Sequence, residues 1–139
     1  MHRTRVGSLV IDCHDLLAGL AFWTAALDVS EIEGDPHTEV YVSLGHVVGG
    51  LRLLLQRVPE QKVAKSRLHL DIETDDVDAE VARLTSLGAT VSELQSNGDA
   101  VLLDPNGNEF CVIHPGRRDS PEERSRGADR DISRGSRQA

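Results

Sequence analysis

The feature that most constrains this sequence is an internal repeat, which appears when the chain is compared with itself at a shift of 61 residues. Through one predicted strand and one predicted helix, the identical positions are Leu9, Ile11, Asp15, Ala18, Ala21 and Thr24, which fall on Leu70, Ile72, Asp76, Ala79, Ala82 and Thr85. Other pairs keep their chemical character, since Asp12 falls on Glu73 and Trp23 falls on Leu84. The repeat predicts two copies of one structural unit.

The second copy begins with the pattern of a strand and continues with the pattern of a helix. Leu68, Leu70 and Ile72 alternate with polar residues, which predicts a strand whose apolar face packs on the helix. The sequence Thr-Asp-Asp at 74–76 supplies an N-cap, and Gly88 is placed to end the helix with a positive φ. The apolar stripe between them consists of Val77, Val81, Leu84 and Leu87.

Short strands complete each copy. In the second copy they are predicted near residues 90–95, 99–103 and 109–114, the last two joined by the turn Asp104-Pro-Asn-Gly-Asn108. The first copy is predicted to have a strand near 7–13, a helix at about 15–27, and strands near 38–44 and 50–58. The expected architecture is an α+β fold of two tandem βαβββ modules, at about 6–58 and 66–115, with curved mixed sheets around a central cleft.

Composition defines the domain and excludes two classes of partner. Residues 1–115 are expected to form one domain, whereas residues 116–139 contain a single large apolar side chain and are expected to be a disordered tail. The net charge is -8, and because the tail contributes +2, the body carries -10. Such an acidic body repels phosphates and anionic lipids, so we expect no nucleic-acid or membrane partner. No apolar run has the length of a membrane span, and residues 1–7 are polar with no signal-peptide core behind them, so we expect a cytoplasmic location.

Several runs resemble one known superfamily. The runs at 51–60, 67–84, 87–89 and 104–113 resemble the glyoxalase-like, bleomycin-resistance branch of the vicinal oxygen chelate superfamily. That superfamily includes glyoxalase I, extradiol dioxygenases, fosfomycin-resistance enzymes and bleomycin-binding proteins. The resemblance implies paired βαβββ modules, frequent homodimers and a small-molecule ligand in the cleft between the modules.

The resemblance also implies where metal ligands would lie. Carried over position by position, these sites are Ser8, a residue within 52–56, His69 and Cys111. Only His69 has the usual ligand type, since Cys111 replaces a Glu and Gln56 is the one residue within 52–56 that could coordinate. Catalytic divalent sites usually need three imidazole or carboxylate ligands, so we expect no catalytic metal and no cofactor.

His69 is the strongest candidate for a catalytic residue, and it has two readings. If Leu68 and Leu70 face the helix, the imidazole points into the cleft beside Asp71 and Glu73, where it could act as a base. It could equally be a relic of a lost metal site that bonds to a neighbour.

The other candidates for the site also have two readings each. Cys111 could be a nucleophile, although no basic residue stands next to it in the sequence, and packing is the alternative. Asp12 and Glu73 occupy equivalent positions, where they could serve general acid–base chemistry or hold a cationic ligand, or could equally lie at a solvated rim. The remaining candidate ligand-binding residues are Gln56, Asp71 and Ser8.

Three functions follow, in order of preference. The first is metal-independent binding or sequestration of a polar or cationic small molecule, because the body is acidic. The second is a metal-independent isomerase, lyase or cyclase in which His69 is the general base. The third is a metal-dependent enzyme of the glyoxalase I or dioxygenase kind. Whether the protein is an enzyme stays open at this point.

Overall fold

A computed structural model of the chain describes residues 1–116, so the predicted tail lies almost entirely outside the described residues. Repeated strand and helix patterns produce two helices and seven strands in this part of the chain. In chain order they are β1 (Ser8–Cys13), α1 (Leu16–Ala26), β2 (Tyr41–Ser43), β3 (Arg52–Arg57), β4 (Asp71–Glu73), α2 (Val77–Ser86), β5 (Thr90–Leu94), β6 (Ala100–Leu103) and β7 (Glu109–Ile113).

The strands form two mixed sheets, one for each copy of the repeat. The first sheet has the order β1-β3-β2, and the second has the order β4-β7-β6-β5. In each sheet the first strand pairs in parallel with the last strand of its module, whereas the other pairings are antiparallel. The predicted fold class, an α+β fold of two modules with mixed sheets, is confirmed.

The first module is shorter than its counterpart by one strand. Two strands follow α1 within the described residues, and the third is reduced to a single bridge between Glu33 and Ser43. Gly34, with a φ of 107°, bends the chain immediately after that bridge. Asp35 then holds a turn by accepting hydrogen bonds from the backbone N–H of His37 and the Thr38 hydroxyl. The single bridge is thus followed directly by a turn and not by a ladder.

The two helices begin with the same N-cap hydrogen bond, at positions that the repeat makes equivalent. Asp15 accepts a hydrogen bond from Ala18 N at 3.0 Å, and Asp76 accepts one from Ala79 N at 2.9 Å. Gly88 has a φ of 113°, as predicted for the residue that ends α2. No helix in the described part of the chain is long and apolar enough to span a bilayer.

The core lies between the helices and one face of each sheet. Its fully buried side chains include Leu16, Phe22, Trp23, Leu53, Leu55, Leu84, Leu102, Phe110 and Val112. Leu70 and Ile72 pack against this cluster, as predicted, but the prediction for Leu68 is wrong because this residue is 80 % exposed. The ladder of β4 begins where Leu70 O accepts a hydrogen bond from Cys111 N, so no pairing holds Leu68 in the alternating pattern.

Candidate functional site

The pairing of β4 with β7 places three reactive side chains together. Asp71 and Cys111 are direct partners in the parallel register, and His69 stands two residues before Asp71. Ile72 and Val112 face the core, so by strand alternation Asp71 and Cys111 lie on the opposite face of the sheet. Potential ligand atoms of His69, Asp71 and Cys111 all lie within 4.8 Å of one another. We call this group the second-sheet cluster.

His69 and Asp71 form a close pair inside the cluster. The distance from His69 Nε2 to Asp71 Oδ1 is 3.2 Å, and the two side chains are 35 % and 26 % exposed. A carboxylate at this distance favours an imidazole whose Nε2 carries a proton. The prediction that His69 stands beside Asp71 is therefore supported by geometry, and solvent or a ligand can reach the ring.

A cavity of about 840 Å³ adjoins this pair and separates β1 from the segment that leads into β4. The apolar part of its wall includes Leu9, Ile11, Trp23, Val58, Leu70 and Phe110. The polar part includes Asp12, His14, Glu60, Lys62, Arg67, His69 and Glu109. His69 thus belongs both to the cavity wall and to the second-sheet cluster, whereas Asp71 and Cys111 are not among the described lining residues.

The linker between the modules, residues 59–66, forms one wall of the cavity and is held by Glu109. One carboxylate oxygen of Glu109 accepts a hydrogen bond from Lys62 Nζ at 3.0 Å, and the other accepts one from Ser66 N at 3.1 Å. Desolvation works against ionisation of Glu109, but the hydrogen bonds from Ser66 and Lys62 outweigh it and lower the pKa to about 2. Glu109 is consequently an ionised anchor for the linker at neutral pH.

The remaining candidate residues, three on the first sheet and Glu73 on the second, are only partly brought to the cavity. Asp12 lines it, and Gln56 is the register partner of Asp12 on β3. Because Leu53 and Leu55 are buried, Gln56 lies on the opposite, open face of its strand, which fixes the phase that the sequence left undetermined. Ser8 lies at the exposed start of β1, and Glu73 is exposed at the end of β4. Gln56, Ser8 and Glu73 are not among the described residues that line the cavity.

The two cysteines differ in their surroundings. Burial and the nearby carboxylates of Asp104, Asp12 and Asp15 raise the pKa of Cys13 to about 12, so this thiol is chemically inert near neutral pH. Cys111 is also buried, but it lies beside His69, which the sequence could not place next to it. Cys111 has no basic residue next to it in the sequence, but the fold supplies one, since His69 lies close to it in space.

Several residues of the cavity wall were given no role from the sequence. His14 lines the cavity, and its Nδ1 lies 3.0 Å from Pro59 O at the start of the linker. Lys62 and Glu109 are 47 residues apart in the chain, so their pairing has no local signature. A signal for Glu109 did exist, because strand alternation around the core residue Phe110 places positions 109 and 111 on one face.

Comparisons with known proteins agree with this architecture. A family model described as a glyoxalase-like domain matches residues 8–113. A search of curated proteins found no match.

Solved structures share the fold at low sequence identity. The fosfomycin resistance protein FosX from Mesorhizobium loti has a TM-score of 0.64 at 15 % identity, covering 90 % of this chain and 99 % of its own. FosX from Listeria monocytogenes, in a structure complexed with Mn(II), has a TM-score of 0.65 at 14 % identity, with coverages of 91 % and 99 %. The trypanothione-dependent glyoxalase I of Leishmania major has a TM-score of 0.56 at 18 % identity, with coverages of 95 % and 97 %.

Proposed function

The chain belongs to the glyoxalase-like domain family, and we propose that it binds a polar or cationic small molecule in the cavity between its modules. The observation that carries the proposal is the cavity itself, because about 840 Å³ lies within the range of small-molecule sites. Its wall combines apolar side chains, which can pack on a ring, with polar and charged side chains that can fix the orientation of a ligand.

The charges on the wall support a cation over an anion. Lys62 and Glu109 neutralise each other in an ion pair at 3.0 Å. The other charged lining residues besides the histidines are two acids, Asp12 and Glu60, and one base, Arg67, so the acids are in excess. The body as a whole, of which these residues are part, carries a charge of -10 that favours a cation at longer range. A ligand with an apolar ring and an ammonium group matches this lining.

A matched pair of probes tests the proposal. We expect 1-naphthylmethylamine to raise the melting temperature and 1-naphthoate, which has the same ring and the opposite charge, to leave it unchanged. Ala64 lines the cavity and Lys65 does not, so Ala64→Trp should abolish binding of the amine whereas Lys65→Trp should preserve it. Binding of the amine that is unaffected by Ala64→Trp would place the ligand elsewhere and refute the proposal.

A second candidate function is proton transfer by a metal-independent isomerase, lyase or cyclase. The contact of 3.2 Å between His69 Nε2 and Asp71 Oδ1 favours it, because a general base needs a fixed orientation. In this function His69 would remove a proton from a substrate held in the cavity and return it elsewhere on the molecule. Solvent deuterium appearing in a bound substrate, and lost in His69→Gln, would distinguish this enzyme from a binding protein.

We propose that neither function requires a metal of the kind seen in the Mn(II) complex of FosX. Mn²⁺ prefers several oxygen or imidazole donors, whereas the positions carried over from the metal-dependent relatives hold Ser8, Gln56, His69 and Cys111. This donor set does not fit such an ion. Protein treated with a chelator should therefore bind the amine probe as tightly as untreated protein.

We also propose that the protein forms a homodimer and is cytoplasmic. Apolar side chains lie half-exposed on the open face of the first sheet, at Val10, Leu54 and Tyr41. Light scattering after gel filtration should give twice the monomer mass, and Val10→Lys should halve it. Leu17→Lys is a suitable control, because Leu17 is equally exposed but lies on α1. Cell fractionation tests the location.

A further inference from the structure

The cavity runs along the outer edge of a strand in the first sheet. Four consecutive residues of β1, at 9–12, line it, and so do five consecutive residues at 66–70, directly before β4. Because successive side chains of a strand point to opposite faces, a cavity that touches an unbroken run of residues adjoins the backbone edge of the strand. In the described part of the chain, β1 and β4 are each the terminal strand of their sheet. The cavity therefore separates two strand edges.

The hydrogen bonds of β1 show which of its backbone groups face the cavity. Cys13 O accepts a hydrogen bond from Val58 N at 3.0 Å, so the odd-numbered residues of β1 pair with β3. The even-numbered residues then direct their backbone groups to the other side, which is the side of the cavity. Val10 presents both its N–H and its C=O there. Asp12 presents its N–H, since its C=O accepts a hydrogen bond from Asn108 Nδ2 at 3.0 Å.

The segment that leads into β4 presents backbone groups from the opposite side. Leu70 O accepts a hydrogen bond from Cys111 N on β7 at 2.8 Å, so by alternation the C=O of the preceding residue, His69, points away from β7. His69 is also one of the lining residues. Main-chain hydrogen-bonding groups therefore stand on both sides of the cavity, at Val10 and at His69.

We propose that the ligand of this cavity is a short cationic peptide, bound in an extended conformation as an additional strand along the edge of β1. This assignment rests on the proposed function, because it names the chemical class of the ligand. In this mode of binding, main-chain hydrogen bonds supply affinity and alternate side chains supply specificity. The excess of acids on the wall favours a basic peptide, whereas a second copy of this chain would bring an acidic body to an acidic wall.

Strand alternation predicts the sequence pattern of the peptide. Leu9, Ile11 and Leu70 pack against the core and supply an apolar side of the wall, whereas Asp12 and His69 supply polar groups. Successive side chains of an extended peptide point in opposite directions, so one set meets the apolar side and the other meets Asp12. We therefore expect apolar and basic residues to alternate in the ligand.

Three blocked pentapeptides test the mode of binding by calorimetry. The first is acetyl-Val-Lys-Val-Lys-Val-amide, the second carries N-methyl groups on its three central residues, and the third has Glu in place of both Lys. We expect the first to bind and the other two to bind more weakly by about tenfold or more, because N-methylation removes main-chain donors and leaves the side chains and their charge unchanged. Equal affinity of the first two peptides would overturn the proposal.

Two proline variants test the edge of β1 itself. Val10→Pro removes an N–H that faces the cavity, and Ser8→Pro removes an N–H on the same side of β1 at a residue that does not line the cavity. We expect Val10→Pro to weaken binding of the first peptide by about tenfold and Ser8→Pro to leave it unchanged. Both variants should still bind 1-naphthylmethylamine, which needs no main-chain donor. Equal affinity of the peptide for the two variants would contradict a strand along β1.

The amine separates failure of the peptide assignment from failure of the proposed function. If the amine binds to the wild type and the first peptide does not, the peptide assignment is wrong and the proposed function stands. If neither binds, both are wrong. If the peptide does not bind and Val10→Pro converts a dimer to a monomer whereas Ser8→Pro does not, a second copy of the chain occupies the edge, which also overturns the peptide assignment.

Discussion

The indole Nε1 of Trp23 in the first module donates a hydrogen bond to Asp104 Oδ2 in the second module at 2.9 Å. Asp104 is 3 % exposed, and its carboxylate also accepts hydrogen bonds from the turn that follows it, at Asn106 N and Asn108 N. The same turn contacts the first module through Asn108 Nδ2, which donates to Asp12 O. One buried carboxylate thus organises the β6–β7 turn and joins the two modules.

Replacing Asp104 should be strongly destabilising. Asp104→Ala would leave several buried donors without an acceptor, and we expect a loss of about 3 kcal/mol in the free energy of unfolding. Trp23→Phe removes one donor and should cost about 1–2 kcal/mol. Urea denaturation of both single variants and the double variant measures the coupling. Strict additivity of the two losses would show that the contact between the modules contributes nothing.

Substitutions of His69 and Leu84 should distinguish a residue of the binding site from a residue of the core. His69→Ala removes a side chain that is 35 % exposed, so it should cost less than about 1 kcal/mol of stability while abolishing binding of the amine probe. Leu84 is fully buried, and Leu84→Ala should cost about 2–5 kcal/mol through the cavity it creates. Equal losses of stability, with amine binding intact in His69→Ala, would make His69 a structural residue.

The sequence predicted those parts of the fold that depend on local patterns. The equivalent caps Asp15 and Asp76 and the terminating Gly88 were identifiable because caps act within one helical turn. The sequence located two strands after the first helix, but the reduction of the third to a single bridge was not identifiable, since the number of residues that pair depends on the partner strand. Leu68 was misplaced for the same reason, because strand alternation ends where hydrogen-bond pairing ends.

The candidate site was predictable from the sequence only where the family resemblance and the strand alternation point to the same residue, as at His69. Its neighbour Cys111 comes from a strand that is distant in sequence, so their proximity required the register of β4 and β7. The contact of Lys62 with Glu109 likewise depends on how the linker lies across the start of β7. Such contacts depend on tertiary packing, so the local periodicity of apolar residues does not predict them.

Arg83 of α2 should stabilise α1, which has no basic residue in its own last turn. Its guanidinium donates to Ala26 O at 2.9 Å and to Ala25 O at 3.4 Å, where the helix dipole favours a positive charge. We expect Arg83→Met to lower the free energy of unfolding by about 1 kcal/mol. Glu80→Gln, which weakens only the ion pair within α2, should cost less. A larger loss in Glu80→Gln would contradict this assignment.

Glu109 should make the linker sensitive to acid. Its pKa is lowered to about 2, so the ionised carboxylate stabilises the folded state fully above the ordinary pKa of about 4.5, and this contribution is lost as the pH falls toward 2. Because the side chain keeps some contact with solvent, we expect a contribution of about 1 kcal/mol.

Glu109→Gln tests this contribution. The variant should be less stable than the wild type at pH 7, and the difference should shrink between pH 5 and pH 2. Hydrogen exchange gives a local readout, since the amide of Ser66 donates to Glu109 and should exchange faster in the variant. Glu60→Gln is a suitable control, because Glu60 lies on the same linker but makes no described contact with Glu109. A difference in stability that is independent of pH would show that the charge of Glu109 is not what holds the linker.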